Sequence, residues 1–328
     1  MPELSVVITV LNEEKNIRPL LDQVRTALSA LDYEIVLVDD GSADNTKQEI
    51  LNHTDERTLL VELEKNFGQS AAMRAGIEHS SGQYIAFLDG DLQNDPADIP
   101  VLLQLLEKEK VDVVAGNRKN RQDGFWLRKI PSRIANILIR YMTGVYLKDY
   151  GCTLRVFKRK YADGLRLYGG LHRFIPVLAS IGGARIIQVD VQHHARVHGK
   201  SKYGLSRTFK VMGDLLLMTA LRRVSVNKRR ISAPVGLISF LLGLITLINL
   251  YIMNPDDPPV TAHFLYWPAI VLLTGGLLLV IARMIAATKI KEHYRRAALQ
   301  PYTVSHVYRG NLQLIPGTNK NSGKNSAV

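Results

Sequence analysis

Short runs of β-branched and aliphatic residues alternate with amphipathic stretches through the first third of the chain. Leu4 to Val10 is apolar and of strand length, and the runs Ile35 to Val38, Leu59 to Leu63, Tyr84 to Leu88 and Val111 to Ala115 repeat the signal. Between them, Glu14 to Leu31 places Ile17, Leu20, Leu21, Val24 and Leu28 on one helical face. Ser42-Ala43-Asp44-Asn45-Thr46 carries helix-capping residues, Gln69 to Ser80 reads as a helix broken at Gly82, and Ile99 to Lys108 reads as another. Strands alternating with helices predict βαβ units. The expected fold class is therefore α/β, a mostly parallel sheet with helices on both faces.

The pattern changes after residue 116. Leu127 to Leu147 puts Ile130, Ile134, Ile137, Leu138, Tyr141 and Val145 on one side and Arg133, Asn136 and Arg140 on another. Leu205 to Leu221 is similar. Each is either a surface helix packed on the core or a basic amphipathic helix in a membrane interface. No charged residue occurs from Ile231 to Met253 or from Val260 to Ala282, and either stretch is long enough to cross a bilayer as a helix. Asn254-Pro255-Asp256-Asp257-Pro258-Pro259 joins them without a cation. Arg222, Arg223, Lys228, Arg229 and Arg230 precede the pair, and Arg283, Lys289, Lys291, Arg295 and Arg296 follow it. Excess lysine and arginine marks the cytoplasmic side. The expectation is thus a cytoplasmic domain over 1–230, spans at about 231–253 and 260–282, and a cytoplasmic tail over 288–328 with a disordered end, in an inner, cytoplasmic membrane.

Charge supports this arrangement. The 328 residues include 42 lysines and arginines against 30 aspartates and glutamates, a formal +12. Such an excess suits nucleic acid or an anionic membrane face, and its clustering beside the apolar stretches favours the membrane. An aromatic-basic pattern for nucleic acid is lacking, so nucleic acid is not an expected partner. Cys152 is the only cysteine, which rules out an intrachain disulfide. Met1-Pro2-Glu3 leads directly into the first apolar run, so no signal peptide is read.

The chemistry concentrates where strands end. Asp89-Gly90-Asp91-Leu92-Gln93 follows the run Tyr84 to Leu88. Two carboxylates and an amide oxygen past a buried strand form a hard oxygen site suited to Mg²⁺ or Mn²⁺ carrying a diphosphate, with Asp89, Asp91 and Gln93 as metal ligands. An Asp-x-Asp alone is more often a solvated turn or a helix cap; the preceding strand and Gln93 weigh against that here. Asp39-Asp40-Gly41-Ser42 ends another strand, and Asn12-Glu13 follows the first, so all face one crevice beyond the sheet's carboxyl edge. The chain has neither G-x-G-x-x-G nor G-x-x-x-x-G-K-[ST], so a diphosphate would depend on metal and side chains.

These motifs occur in a telling order: Leu4 to Ile8 before Asn12-Glu13, then Asp39-Asp40-Gly41-Ser42, Asn66-Phe67-Gly68, Asp89-Gly90-Asp91-Leu92-Gln93, and Arg196-Val197-His198-Gly199-Lys200-Ser201-Lys202. The chain resembles the family 2 (GT-A) glycosyltransferases of the polyprenyl-phosphate branch, which includes dolichyl-phosphate mannose synthases and bacterial undecaprenyl-phosphate sugar transferases. The resemblance covers residues 4 to about 210 by motif and the paired spans by architecture. It implies a metal-dependent, inverting transfer of sugar from a nucleotide sugar to a polyprenyl phosphate lipid, with a UDP-sugar favoured over GDP-mannose. It also implies roles. Asp39 would meet the nucleoside and the segment Thr9 to Glu13, with Leu11, would shape the base pocket. Asp40, Lys65 and Gly68 belong to the same donor side. Asp89, Asp91 and Gln93 would hold metal and diphosphate. Arg118 would meet the acceptor phosphate, with Arg128 and Ser132 on the acceptor helix, Asp149 to Thr153 as an acceptor-side loop, and Arg196, Ser201 and Lys202 closing over the phosphates.

Thr9 replaces the family's usual proline, Leu11 a tyrosine, Gly90 an alanine, and Asn94-Asp95-Pro96 an Asp-Pro-Pro run, which bears on base and sugar preference. Two other readings stay open: a processive polysaccharide synthase, although neither Trp126 nor Trp267 follows an arginine as that group's Gln-x-x-Arg-Trp motif requires, and a non-catalytic membrane scaffold. Tyr302-Thr303-Val304 and the amphipathic helices are candidate contacts for a homo-oligomer.

Overall fold

The computed structural model describes residues 1–118, 137, 139–195, 214–215, 217–219, 221, 232–253, 260–310 and 313–316. The strands are β1 (Leu4–Val10), β2 (Tyr33–Asp39), β3 (Thr58–Leu63), β4 (Tyr84–Asp89), β5 (Val113–Arg118), β6 (Arg155–Lys158), β7 (Ile186–Val191), β8 (Val304–Arg309) and β9 (Gln313–Pro316). They form one sheet in the order β7-β5-β6-β4-β1-β2-β3-β8-β9. β1 runs parallel to β2 and β4, β2 to β3, and β5 to β7, whereas β6 lies antiparallel between β4 and β5.

Side-chain alternation along β1 explains why both faces are covered. Leu4, Val6, Ile8 and Val10 pack on one face with α1 (Glu14–Ala27) and α4 (Asp98–Lys108). Val7 points the other way, into a second core with α3 (Gln69–His79), the short α5 (Arg159–Asp163) and α6 (Ile175–Ile181). α3 lies close to the sheet because its buried face is Ala71, Ala72, Ala75 and Gly76. A Cβ on Gly76 would sit 2.2 Å from Cγ1 of Val7. The remaining helix of the early βαβ series, α2 (Thr46–Asn52), follows β2.

By contacts the chain divides into two units, Met1–Met218 with Arg296–Val328, and Thr219–Arg295. The second holds α7 (Ser232–Met253) and most of α8 (Val260–Ala298). Both helices are long and apolar enough to cross a membrane. Their large side chains, among them Leu237, Leu241, Leu242, Val271 and Leu278, are exposed rather than packed into a core. Within this unit the two helices meet along small residues. A Cβ on Gly276 would lie 2.4 Å from the backbone nitrogen of Phe240, and one on Gly243 2.6 Å from that of Leu273.

Two differences from the sequence pattern stand out. The apolar stretch ending at Ala282 continues as helix to Ala298, about 58 Å in all at 1.5 Å per residue. The segment after it is no free tail as far as residue 316: β8 pairs antiparallel with β3, and β9 with β8. Tyr302, a candidate for oligomer contacts from sequence, is buried in the second core, and its hydroxyl donates to Glu78. The amphipathic stretches 127–147 and 205–221 fall largely outside the described residues; within the first, 139–143 are helical.

Candidate active site

The sheet register gathers the acidic motifs. Thr9 of β1 sits opposite Val38 and Asp89, and Val10 opposite Asp39. Every parallel strand here points its carboxyl end the same way, so Thr9, Asp39 and Asp89 share one edge, as expected for ligand sites in open α/β sheets.

The loops at that edge are tied to one another by side chains. Asn12, at φ 53°, accepts the amide of Ala43 with its Oδ1 (2.8 Å) and gives its own amide to the Ser42 hydroxyl (2.9 Å). The Glu13 amide donates to the Thr46 hydroxyl (2.8 Å), and its carboxylate accepts from Asn16 (2.6 Å). Asp39 accepts both the amide and the hydroxyl of Ser42, at 2.9 and 2.5 Å. Burial raises its pKa above the ordinary value, and the Ser42 hydrogen bonds work against that rise. Asp40 turns to the next loop, where its carboxylate accepts the amides of Phe67 (2.7 Å) and Gly68 (2.9 Å). Gly41 is needed between them: φ is +72°, and a Cβ would lie 2.5 Å from the carbonyl carbon of Lys65. Lys65 itself is exposed, its ammonium 5.4 Å from the centre of the Phe67 ring. Leu11 and Thr9 line this edge half-buried.

Asp89, the last residue of β4, is half-buried and held at both oxygens, by Nε2 of Gln69 (2.8 Å) and by the Thr153 hydroxyl (2.6 Å). Its pKa is pushed up to about 6, first by burial and next by the neighbouring Asp91; Thr153, Arg118 and Arg155 act in the opposite sense. Asp91 is buried and accepts the amide of Gln93 (3.3 Å), across Leu92 at φ 60°, a backbone region sparsely used by leucine. Gln93 is fixed against His194: its carbonyl accepts the His194 amide (2.8 Å), and its Nε2 donates to the His194 carbonyl (3.5 Å). An amide held by its nitrogen offers its oxygen to a cation. A Cβ on Gly90 would meet Cγ1 of Val10 at 2.6 Å.

Among the described residues no group of three histidine, cysteine or acidic side chains surrounds a metal position. Two adjacent carboxylates still fit Mg²⁺ or Mn²⁺, which commonly take one or two carboxylates and complete their shells with phosphate oxygens and water. Burial first, and the neighbouring Asp91 second, disfavour the charged form of Asp89, and a divalent cation beside it would offset both.

Arg118 ends β5 on the other flank. Its Nε and Nη2 fork onto Asp149 at 2.6 and 3.0 Å, and the pair is mostly buried. This fork raises the arginine's pKa further, against the effect of burial. Arg155, on β6, was not singled out from sequence. It is 2 % exposed, donates Nη2 to the Tyr150 carbonyl (2.7 Å), and leaves Nε without a protein partner. Burial lowers its pKa to about 10, so it remains a cation at neutral pH. Gln69 and Arg155 escaped notice because they stand in no motif, and Thr153 was named only as the end of an acceptor-side loop, not as a partner of Asp89. The alternation Leu154-Arg155-Val156-Phe157 was the available signal of a strand beside β4. Arg128, Ser132, Arg196, Ser201 and Lys202 lie outside the described residues.

The model of glycosyl transferase family 2 matches residues 5–166. A dodecaprenyl-phosphate galacturonate synthase from Rhizobium johnstonii is 39 % identical over 317 residues, 93 % of each chain. The chain belongs to glycosyl transferase family 2. It is a glycosyltransferase whose curated relatives are polyprenyl-phosphate sugar transferases: an undecaprenyl-phosphate 4-deoxy-4-formamido-L-arabinose transferase from Serratia proteamaculans is 38 % identical over 262 residues, 77 % of this chain and 78 % of that one. Glucosyl-3-phosphoglycerate synthase from Mycobacterium tuberculosis, solved with Mn²⁺, UDP and phosphoglyceric acid, shares the fold at a TM-score of 0.54 and 18 % identity, over 67 % of this chain and 78 % of that one.

Proposed function

We propose that this glycosyltransferase moves a sugar from a nucleotide-sugar donor to the phosphate of a polyprenyl phosphate lipid at the cytoplasmic face of a membrane, inverting the anomeric centre. The observation that carries the reading is the joining of two unlike sites by one stretch of chain: Thr153 meets Asp89, and Asp149 meets Arg118, so an acidic crevice and a basic flank adjoin. An oxygen of the lipid phosphate forms the new bond to the anomeric carbon as the bond to the nucleoside diphosphate breaks. The attacking oxygen is already anionic near neutral pH, so no protein base is needed. The difficulty is repulsion between acceptor and leaving group. Arg118, oriented by Asp149, would face the acceptor phosphate and donate hydrogen bonds to it. Asp39, with the Thr9 to Glu13 segment, would grip the nucleoside. Asp89 and Asp91, with Gln93, would hold Mg²⁺ or Mn²⁺. Such an ion, when bound, supplies Lewis-acid stabilisation of the departing diphosphate. Arg128, Ser132, Arg196, Ser201 and Lys202 complete the basic side by resemblance.

The two apolar helices and their flanking cations support membrane insertion with both flanks cytoplasmic. Among donors, a nucleotide-linked galacturonate is the first to test, because the relative matched over 93 % of the chain is named for that sugar. The decisive experiment supplies the detergent-solubilised full chain with undecaprenyl phosphate, Mn²⁺ and a panel of UDP- and GDP-sugars. A single sugar on the lipid phosphate is the expected product. Release of free sugar alone, or growth of a polymer, would overturn the reading.

A further inference from the structure

Asp89 has a neutral donor on each oxygen, while the arginines nearest to it are engaged elsewhere. Gln69, the first residue of α3, donates to Oδ1, and the Thr153 hydroxyl donates to Oδ2. The place of Thr153 follows from the sheet. Phe87 of β4 lies opposite Arg155 of β6 in an antiparallel pair, so two residues further along Asp89 comes opposite Thr153. Arg118 forks onto Asp149, and Arg155 donates to the Tyr150 carbonyl. The acceptors for both guanidiniums therefore precede Thr153 by three and four residues on the same stretch of chain.

The distinction between donor types has a chemical consequence. A guanidinium forked onto a carboxylate cancels its charge and occupies both oxygens in the plane. A hydroxyl and an amide fix the carboxylate's orientation but leave its full negative charge. The second arrangement is what a cation ligand requires, and outer partners of this kind tune metal affinity. A hydrophobic replacement at either donor would leave one Asp89 oxygen without the partner that fixes it.

We infer that Gln69 and Thr153 are positioning residues that set the Asp89 carboxylate for a divalent cation, and that the 149–153 stretch keeps Arg118 and Arg155 off it. The inference rests on the metal reading above. It is tested on the full chain in detergent by titrating Mn²⁺ alone and following free Mn²⁺ by electron paramagnetic resonance. Thr153→Val and Gln69→Leu are each expected to weaken Mn²⁺ binding roughly tenfold. Thr153→Ser keeps the hydroxyl and should stay within about twofold of the parent. Parent-like Mn²⁺ binding by Thr153→Val, or failure of serine to preserve binding, would overturn the proposal while leaving the metal site standing. Absence of Mn²⁺ binding by the parent would remove the metal reading and the proposal with it.

Discussion

At the scale of single residues, Asp89 sets a pH dependence with a defined sign. The Asp89 pKa of about 6 lies above the ordinary 3.8, so between those values the folded protein binds more protons than the unfolded one. In the absence of metal this group makes the fold less stable as pH rises from about 4 to about 6. A cation competes with that proton and binds the deprotonated form. Mn²⁺ should therefore raise the thermal midpoint more at pH 7.5 than at pH 5.5, and its affinity should fall about tenfold per unit below pH 6. Differential scanning fluorimetry at both pH values, with and without Mn²⁺, measures this; an equal Mn²⁺ shift at both would contradict it. Gly90 gives a second test. With Cγ1 of Val10 2.6 Å from where a Cβ would go, Gly90→Ala should destabilise by about 1–3 kcal/mol, and Val10→Ala in the same chain should recover much of that loss. A double-mutant cycle in urea reads the coupling, which would be near zero if the loop simply shifts.

At the scale of elements, what could be read from sequence depended on how apolar an element is and what it packs against. β1 was legible to the residue, Leu4 to Val10, because it lies mid-sheet between two parallel partners and is buried along nearly its whole length. The acidic motifs were legible because each ends a short strand buried along most of its length. β6 was not, since its four residues begin and end with cations and its antiparallel place between β4 and β5 follows no βαβ rule. β8 was missed because Val304-Ser305-His306-Val307-Tyr308-Arg309 has the mixed character of a strand near a sheet edge. Asp89, Asp91 and Arg118 were thus identified as candidates while Gln69 and Arg155 were not, and Thr153 was placed on the acceptor side rather than against Asp89. In the second unit, the seam between α7 and α8 also depends on glycine. A leucine at Gly276 would meet the backbone of Phe240 and the Gly236 carbonyl, and Ser239 donates to the Leu272 carbonyl (3.1 Å) along the same seam. In a chain with cysteines at 239 and 272, Gly276→Leu is expected to lower the yield of the oxidised pair several-fold, read by gel shift in membranes; an unchanged yield would place the seam elsewhere.

At the scale of the whole molecule, the sheet that carries the site is built from both ends of the chain. Residues 304–309 extend it beyond β3, and the connection is held by side chains as well as by the ladder. Arg74 donates Nη1 to the Leu299 carbonyl (3.0 Å), Tyr302 donates to Glu78, and His306 meets Glu62 at 2.9 Å. Glu62 stands opposite Asp39 in the β2–β3 register, so the added strands brace the strand next to the proposed nucleoside carboxylate. Tyr302 and Val307 are 4 % and 6 % exposed, and removing them forfeits burial on the order of 3–6 kcal/mol. That is a large share of the 5–15 kcal/mol by which a domain is typically stable. It also leaves Leu59, Val61 and Leu63 along an unpaired edge. Deleting 300–328 should therefore lower the thermal midpoint of the catalytic unit by more than about 10 °C and speed amide exchange in β3 before β1. Val307→Asp, which keeps the chain length, should move both measurements the same way by a smaller amount. A truncated chain with the parent's midpoint and β3 protection would show the added strands to be dispensable. A loss confined to β3 and its neighbours, with β5 and β7 still protected, would show the sheet opening from the edge at which the C-terminal strands close it.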